Sequence, residues 1–200
     1  MVTPEAANVG PREAKKDLIG RMIGAARLDV HTFEEVENDP SATTQALLVV
    51  IIVSLASGIG SLIGSLIAGV NPVAAIIFGV VWGIVVWAGW ALVTFFVGTT
   101  LFKTADTHAN WGQLARTTGF AQAPGVLLIL SFIPLLGGII TLVTFLWRLV
   151  AMVVAVRQAL DYKDTLRAVG VVVVSFIIVI VPLAILASLF GAATFGGISR

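Results

Sequence analysis

Cysteine is missing from the 200 residues. Its absence excludes disulfides, thiolate catalysis and cysteine-based metal sites together. Charge is scarce. Asp, Glu, Lys and Arg make up 12% of the chain, where a soluble domain carries about 25%. Histidine occurs only at His31 and His108, and neither lies in an HExxH or comparable metal-ligand spacing. No GxxxxGK[ST] loop is present to cradle a phosphate, and no GxSxG elbow to expose a nucleophilic serine. The basic residues are interspersed with acids and lack aromatic interleaving, which speaks against nucleic acid as a partner. There is no internal repeat. No cofactor is implied, and the chain reads as a non-enzyme.

Apolar sequence fills the space these absences leave. Hydrophobic residues make up 58% of the chain and mean hydropathy is +1.03. Leu47 to Ala68 is a run with no charge and no proline, and about 20 such residues cross the hydrocarbon core of a bilayer as a helix. Four further apolar runs follow. The expected fold is all-α: a polytopic transmembrane bundle of five spans, at about 45–70, 73–102, 117–135, 139–156 and 168–190. A cytoplasmic segment (1–40) precedes the 41–190 membrane domain, and a Gly-rich tail (191–200) follows. Residues 1–40 contain no short apolar stretch before a cleavage site, so the first span is expected to serve as its own insertion signal.

Within residues 12–26, Leu18, Ile19, Met22, Ile23 and Ala26 recur at helical spacing, while Arg12, Lys15, Lys16 and Asp17 are polar. This pattern predicts an amphipathic helix, lying at the membrane interface or packed on the ends of the spans. Lys15 and Lys16 are candidate anchors to an anionic lipid surface. Thr32-Phe33-Glu34-Glu35 has the form of a capping box opening a short acidic helix. Asp39-Pro40 suits an N-cap and first helical position, which starts the first span near Ser41.

Basic residues set the expected orientation. Arg12, Lys15, Lys16, Arg21 and Arg27 precede the first span. Lys103 and Arg116 bound the polar loop between the second and third, and Arg157, Lys163 and Arg167 lie between the fourth and fifth. The turns at Asn71 and Gly137 have none, and the tail has only Arg200. The N-terminus is therefore expected inside and the C-terminus outside.

Candidate functional residues are few. Ser57, Ser61 and Ser65 fall at four-residue spacing beside Gly60 and Gly64, and Gly79 and Gly83 form a second small pair. Small residues let helices approach closely in lipid, either within the bundle or against another subunit. Trp82, Trp87 and Trp90 sit mid-span, as packing or lipid-facing residues. Pro124 and Pro182 predict kinks, since proline removes a helix hydrogen bond and crowds the preceding turn. Arg148 is the one charge inside the spans, about 13 Å up its helix from Arg157 at 1.5 Å per residue. It reads either as an anchor for a lipid phosphate or an acidic partner, or as a structural arginine bonded to Gln122 or to carbonyls freed near Pro124.

The segments TTGFAQAP (117–124) and WRLVAMVVAVRQALDYKDTLRAVGVVVV, with the upstream LDVHTFEEVENDP, resemble the bacterial branch of the Yip (Ypt-interacting protein) family of five-span membrane proteins. The likeness covers about residues 18–190. It implies a cytoplasmic N-terminus, five spans and a bacterial inner membrane. Eukaryotic members contact small GTPases and each other. The family's glycine-tyrosine pair is here Gly119-Phe120, and the eukaryotic aspartate-leucine-tyrosine-glycine-proline signature has no counterpart, so a small GTPase is not the expected partner. The expected function is a scaffold or accessory subunit that binds membrane lipids and other integral membrane proteins or itself. The alternative is a small permease or channel, on the strength of the proline-interrupted spans.

Overall fold

The computed structural model describes residues 17–67, 69 and 71–196, and their side chains except at 64, 65 and 183–196. Lys15, Lys16 and the last residues of the tail lie outside that description, as do the side chains of Gly64 and Ser65. Among the described residues the chain is all helix, with no strand.

Two short helices come first. Helix α1 (Leu18–Ala26) is opened by Asp17, whose Oδ1 accepts from the Gly20 amide at 2.8 Å, and Leu28 turns the chain at a positive φ of 62°. Helix α2 spans Val30–Asn38. Its N-cap is Asp29, which accepts from the His31 amide at 3.2 Å and the Thr32 hydroxyl at 2.7 Å. The capping box expected at Thr32–Glu35 does not form. A carboxylate three residues upstream takes the helix start, and Thr32 is buried against Gly24.

Helix α3 (Ala42–Gly60) begins two residues later than Asp39-Pro40 implied. Asp39 is occupied elsewhere: one oxygen accepts from the amide and hydroxyl of Ser41, the other from Arg21. The first apolar run breaks at Ser61, and a separate short helix α4 (Leu62–Ile67) follows. Gly69 at φ 69° then allows the turn. Asn71 caps α5 (Pro72–Phe96), accepting from the amides of Val73 and Ala74, with Pro72 in the first helical turn.

Helix α5 widens at its end into a π-helical turn, Val97–Leu101. There the Tyr162 hydroxyl donates to the Gly98 carbonyl at 2.9 Å. The stretch expected as a polar loop through Arg116 is helical from Trp111: α6 (Trp111–Phe120) opens on a reciprocal Asn110–Gln113 capping box. The chain breaks at Ala121-Gln122 and runs as a 3₁₀ helix, Ala123–Phe132. Helices α7 (Leu136–Ala159) and α8 (Thr165–Gly196) complete the bundle, and Pro182 sits inside α8.

Among the described residues, four helices are long and apolar enough to cross a membrane: Ala42–Gly60, Pro72–Leu101, Leu136–Ala159 and Thr165–Pro182. The third expected span, 117–135, is not one of them. Pro124 begins the 3₁₀ stretch instead of kinking a continuous α-helix. This interrupted segment is wrapped by protein: α6 packs on α2, α3, α5 and α7, and the 3₁₀ helix packs on α3 and α7. Every residue from Leu114 to Ala121 is buried. Irregular backbone is tolerated at membrane depth only where protein covers it; here Ala123, Pro124 and Gly125 at the break are buried, while Leu127, Ile129, Leu130 and Phe132 farther along the 3₁₀ helix are exposed.

Candidate functional site

Three arginines are drawn inward, and their surroundings differ. Arg21 on α1 is fully buried. Its guanidinium donates to Glu35 Oε1 at 2.8 and 3.1 Å, to Asp39 Oδ2 at 2.8 Å and to Gln45 Oε1 at 2.8 Å. One side chain thus ties α1 to α2 and α3. The N-terminal helix is turned opposite to a soluble amphipathic helix, with Arg21 inward and Ile19 64% exposed. Arg116 on α6 donates to the carbonyls of Val36 and Glu37 and to the Thr43 hydroxyl. It satisfies the C-terminal carbonyls of α2, which have no partner inside the helix. The sequence carried a sign of both bonds. Glu35 and Asp39 lie one helical turn apart, and a short hairpin brings a basic helix beside them.

Glu37 sits in this same region, 6% exposed. Its Oε1 accepts from Gln113 Nε2 at 2.9 Å. Burial raises its pKa from 4.5 to about 7, with Asp161 and Glu34 adding to the rise and Arg116 and the Gln113 bond opposing it. A raised acid favours the folded state in its protonated form. The resulting stability is complete below about pH 4.5 and is lost as pH climbs through 7. Over that window the folded state should lose about 3 kcal/mol at about 1.36 kcal/mol per pH unit. Melting of the detergent-solubilised protein at pH 5 and pH 8 reads this directly. Glu37→Gln should flatten the dependence, and an unchanged slope in that variant would assign it to other groups.

Arg148 on α7 is half-buried and has a different setting. Its Nη2 donates to Gln122 Oε1 at the break between α6 and the 3₁₀ helix. Three cavities meet at Arg148, and two of them also reach Gln122. One, of about 350 Å³, is a groove between α3 and α5 walled by Ser54, Ser57, Ser61, Gly79, Trp82 and Gly83. A smaller one of about 100 Å³ lies between Val53, Trp87 and Gln122. The third, about 240 Å³, is lined by Trp90, Phe145, Met152, Phe176, Val179 and Ile180.

The small residues singled out by spacing separate into two groups. Gly60 lies against the Leu128 carbonyl and the Ser131 hydroxyl, and Gly83 against Ser54, so these two serve packing within the chain. Ser57, Ser61 and Gly79 line the groove, and a Cβ on Gly79 would meet nothing within 4 Å. The tryptophans also differ. Trp87 is buried and donates to the Ala115 carbonyl at 3.0 Å. Trp82 is exposed and stacks on Phe78. Trp90 meets Phe176 edge-on, and its Nε1 is buried with no hydrogen-bond partner among the described residues. No group of three His, Asp or Glu close enough to hold a metal ion occurs among the described residues.

No curated protein and no solved structure matches this chain. A family model for the Yip1 domain matches residues 29–186, a stretch running from the Asp29 cap through the interrupted segment and into α8 past Pro182. The all-α bundle with its four long apolar helices is that of an integral membrane protein, and the chain belongs to the Yip1-domain family.

Proposed function

We propose that this protein is a non-enzymatic scaffold or accessory subunit of a bacterial inner membrane, which binds lipid and holds another integral membrane protein, or a second copy of itself, along the α3–α5 groove. The observation that carries this reading is the groove itself. It is about 350 Å³, opens beside the exposed Ser57, Ser61 and Trp82, and presents Gly79 with free space above it. Small residues on an open helix face let a second helix approach closely in lipid. The described ionisable residues support a non-catalytic role, because Arg21, Glu35, Asp39, Arg116 and Glu37 are spent on holding helices together. In this reading the interrupted segment, over about 117–135, is the third of five spans, with the N-terminus cytoplasmic and the C-terminus outside, following the distribution of basic residues. Lys15 and Lys16 are the candidate lipid anchors of this reading, by their charge alone.

Gly79→Trp tests the groove without disturbing the fold, because the added side chain enters open space. Native mass spectrometry of the protein extracted from its own membrane should show a larger assembly for wild type. The variant should lose at least about tenfold of it, with melting unchanged. An assembly that survives the substitution intact would sink the interface.

A second reading, a small permease, draws on one observation. A discontinuous segment meets the lone intramembrane arginine where three cavities converge, and broken helices mark many transport sites. Solute flux from liposomes discriminates it from the scaffold.

A further inference from the structure

A guanidinium carries five N–H donors and no acceptor. Arg21 uses four hydrogen bonds to two acids and an amide, and Arg116 is spent on carbonyls and a hydroxyl. Arg148 has a single acceptor among the described residues, the Gln122 amide oxygen. No Asp or Glu occurs between residues 40 and 105, between 107 and 160, or from 165 to the end. Neither α3, α5, α6, the 3₁₀ helix, α7 nor α8 can therefore bring a carboxylate to it. A charge held away from water without a counter-ion is costly, and most such residues inside a membrane have a functional partner.

The cavity on the α7–α8 side indicates what that partner is. Arg148, Gln122 and Trp90 form its polar wall, with the Trp90 N–H buried and unpaired beside it. The remaining wall is apolar: Phe145, Met152, Phe176, Val179 and Ile180. Phe145 and Ile180 are also exposed on the outside of the bundle, at 44% and 39%, so the cavity lies open toward the surface that faces lipid. A site with donors at one end, hydrocarbon along its sides and an entrance from lipid selects an anionic group carried on an apolar chain.

We propose that Arg148, with Gln122 and Trp90, binds the anionic head of a membrane amphiphile whose chain lies in the cavity between α5, α7 and α8. The shared chemistry is a phosphate or carboxylate on a long hydrocarbon. This assignment rests on the lipid-binding part of the function proposed above; Arg148 borders the α3–α5 groove as well, whereas Trp90 and the apolar wall belong to this cavity alone.

The test is native mass spectrometry of the purified protein in an uncharged detergent, with dioleoylphosphatidylglycerol, oleate or the uncharged dioleoylglycerol added. Wild type should retain at least one of the two anions about tenfold more than dioleoylglycerol, the range expected for charge-assisted hydrogen bonds. Preference for the phospholipid alone identifies a phosphate head, for oleate alone a carboxylate, and for both the class. Arg148→Gln should abolish the preference and Trp90→Phe should weaken it several-fold. Neutralising Lys15 and Lys16 should leave it in place. Trp90→Phe lies outside the α3–α5 groove and should leave the larger assembly in place, so a failed groove and a failed lipid site read differently. Equal retention of all three amphiphiles, or unchanged preference in Arg148→Gln, overturns the proposal. If Arg148→Gln does not fold, Trp90→Phe decides: full wild-type preference in that variant overturns the proposed site.

Discussion

Arg21→Ala is expected to undock the two N-terminal helices and to lower stability by about 4 kcal/mol, since removing one partner of a buried charged network leaves the others uncompensated. The side chain is fully buried, and its partners Glu35 and Asp39 are 27% and 13% exposed. After the substitution the Glu35 and Asp39 carboxylates lose their shared cation, Asp39 keeping its bonds from Ser41, and their repulsion adds to the lost bonds. Melting in mild detergent should fall by about 10 °C. Limited trypsin treatment should cut after Arg27, between the two helices, far sooner than in wild type. A cycle with Glu35→Ala separates pairing from packing. The double variant should be less destabilised than the sum of the singles, because contacting charges couple. Additive losses would mean that Arg21 acts through its hydrocarbon stem and not through the network.

Gly60→Leu is expected to be at least as severe. A Cβ at Gly60 would enter the space of the Leu128 carbonyl oxygen and the Ser131 hydroxyl. The carbonyl is backbone, so no rotamer change relieves the collision. Overpacking a tight contact costs about 1–3 kcal/mol or more, and here it falls on the seam between α3 and the 3₁₀ helix. The variant should run as aggregate or mixed species on size exclusion in mild detergent. Gly79→Leu makes the control: it adds the same side chain on the neighbouring helix, where a Cβ meets nothing within 4 Å, and should stay free of aggregate and melt as wild type, whatever it does to assembly along the groove. Equal behaviour of the two would show that the close approach at Gly60 is not what holds the seam.

The contrast between those glycines shows where sequence reading stops. Spacing marks Gly60, Gly79 and Gly83 as small, but not what lies opposite each, because that depends on how α3, α5 and the 3₁₀ helix pack. Hydropathy placed the second and fourth expected spans within a few residues of α5 with its π turn and of α7, but ran the first on to 70, ten residues past the end of α3 at Gly60. It misjudged the 117–135 run, which is apolar enough but carries Pro124, and which the chain wraps with its own helices. Periodicity pointed to a helix within residues 12–26, where α1 covers Leu18–Ala26, but gave no sign of which way Arg21 faces. The structure turns that charge inward because acids wait there and the apolar Ile19 and Ile23 face outward. Arg148 was legible as a lone charge and Gln122 as one of its possible partners. The cavity with Trp90 was not legible, since it exists only where α5, α7 and α8 diverge. Asn110 to Gln113 carries a capping signal that predicts the start of α6, within what reads as a polar loop.

The bonds that seat the N-terminal helices also set an order of synthesis. Trp147 donates to the Ala26 carbonyl across 121 residues, and Gln158 to Glu34 across 124. Helices α1 and α2 leave the ribosome first, yet their seats on α7 are made only after most of the chain has been translated. At about 5–20 residues per second the wait is about 6–24 s. Throughout that interval the apolar Ile19 and Ile23 remain available to a chaperone or to the membrane surface, while Arg21 can already pair with Glu35 and Asp39. The earliest part of this chain to be made is among the last to find its place.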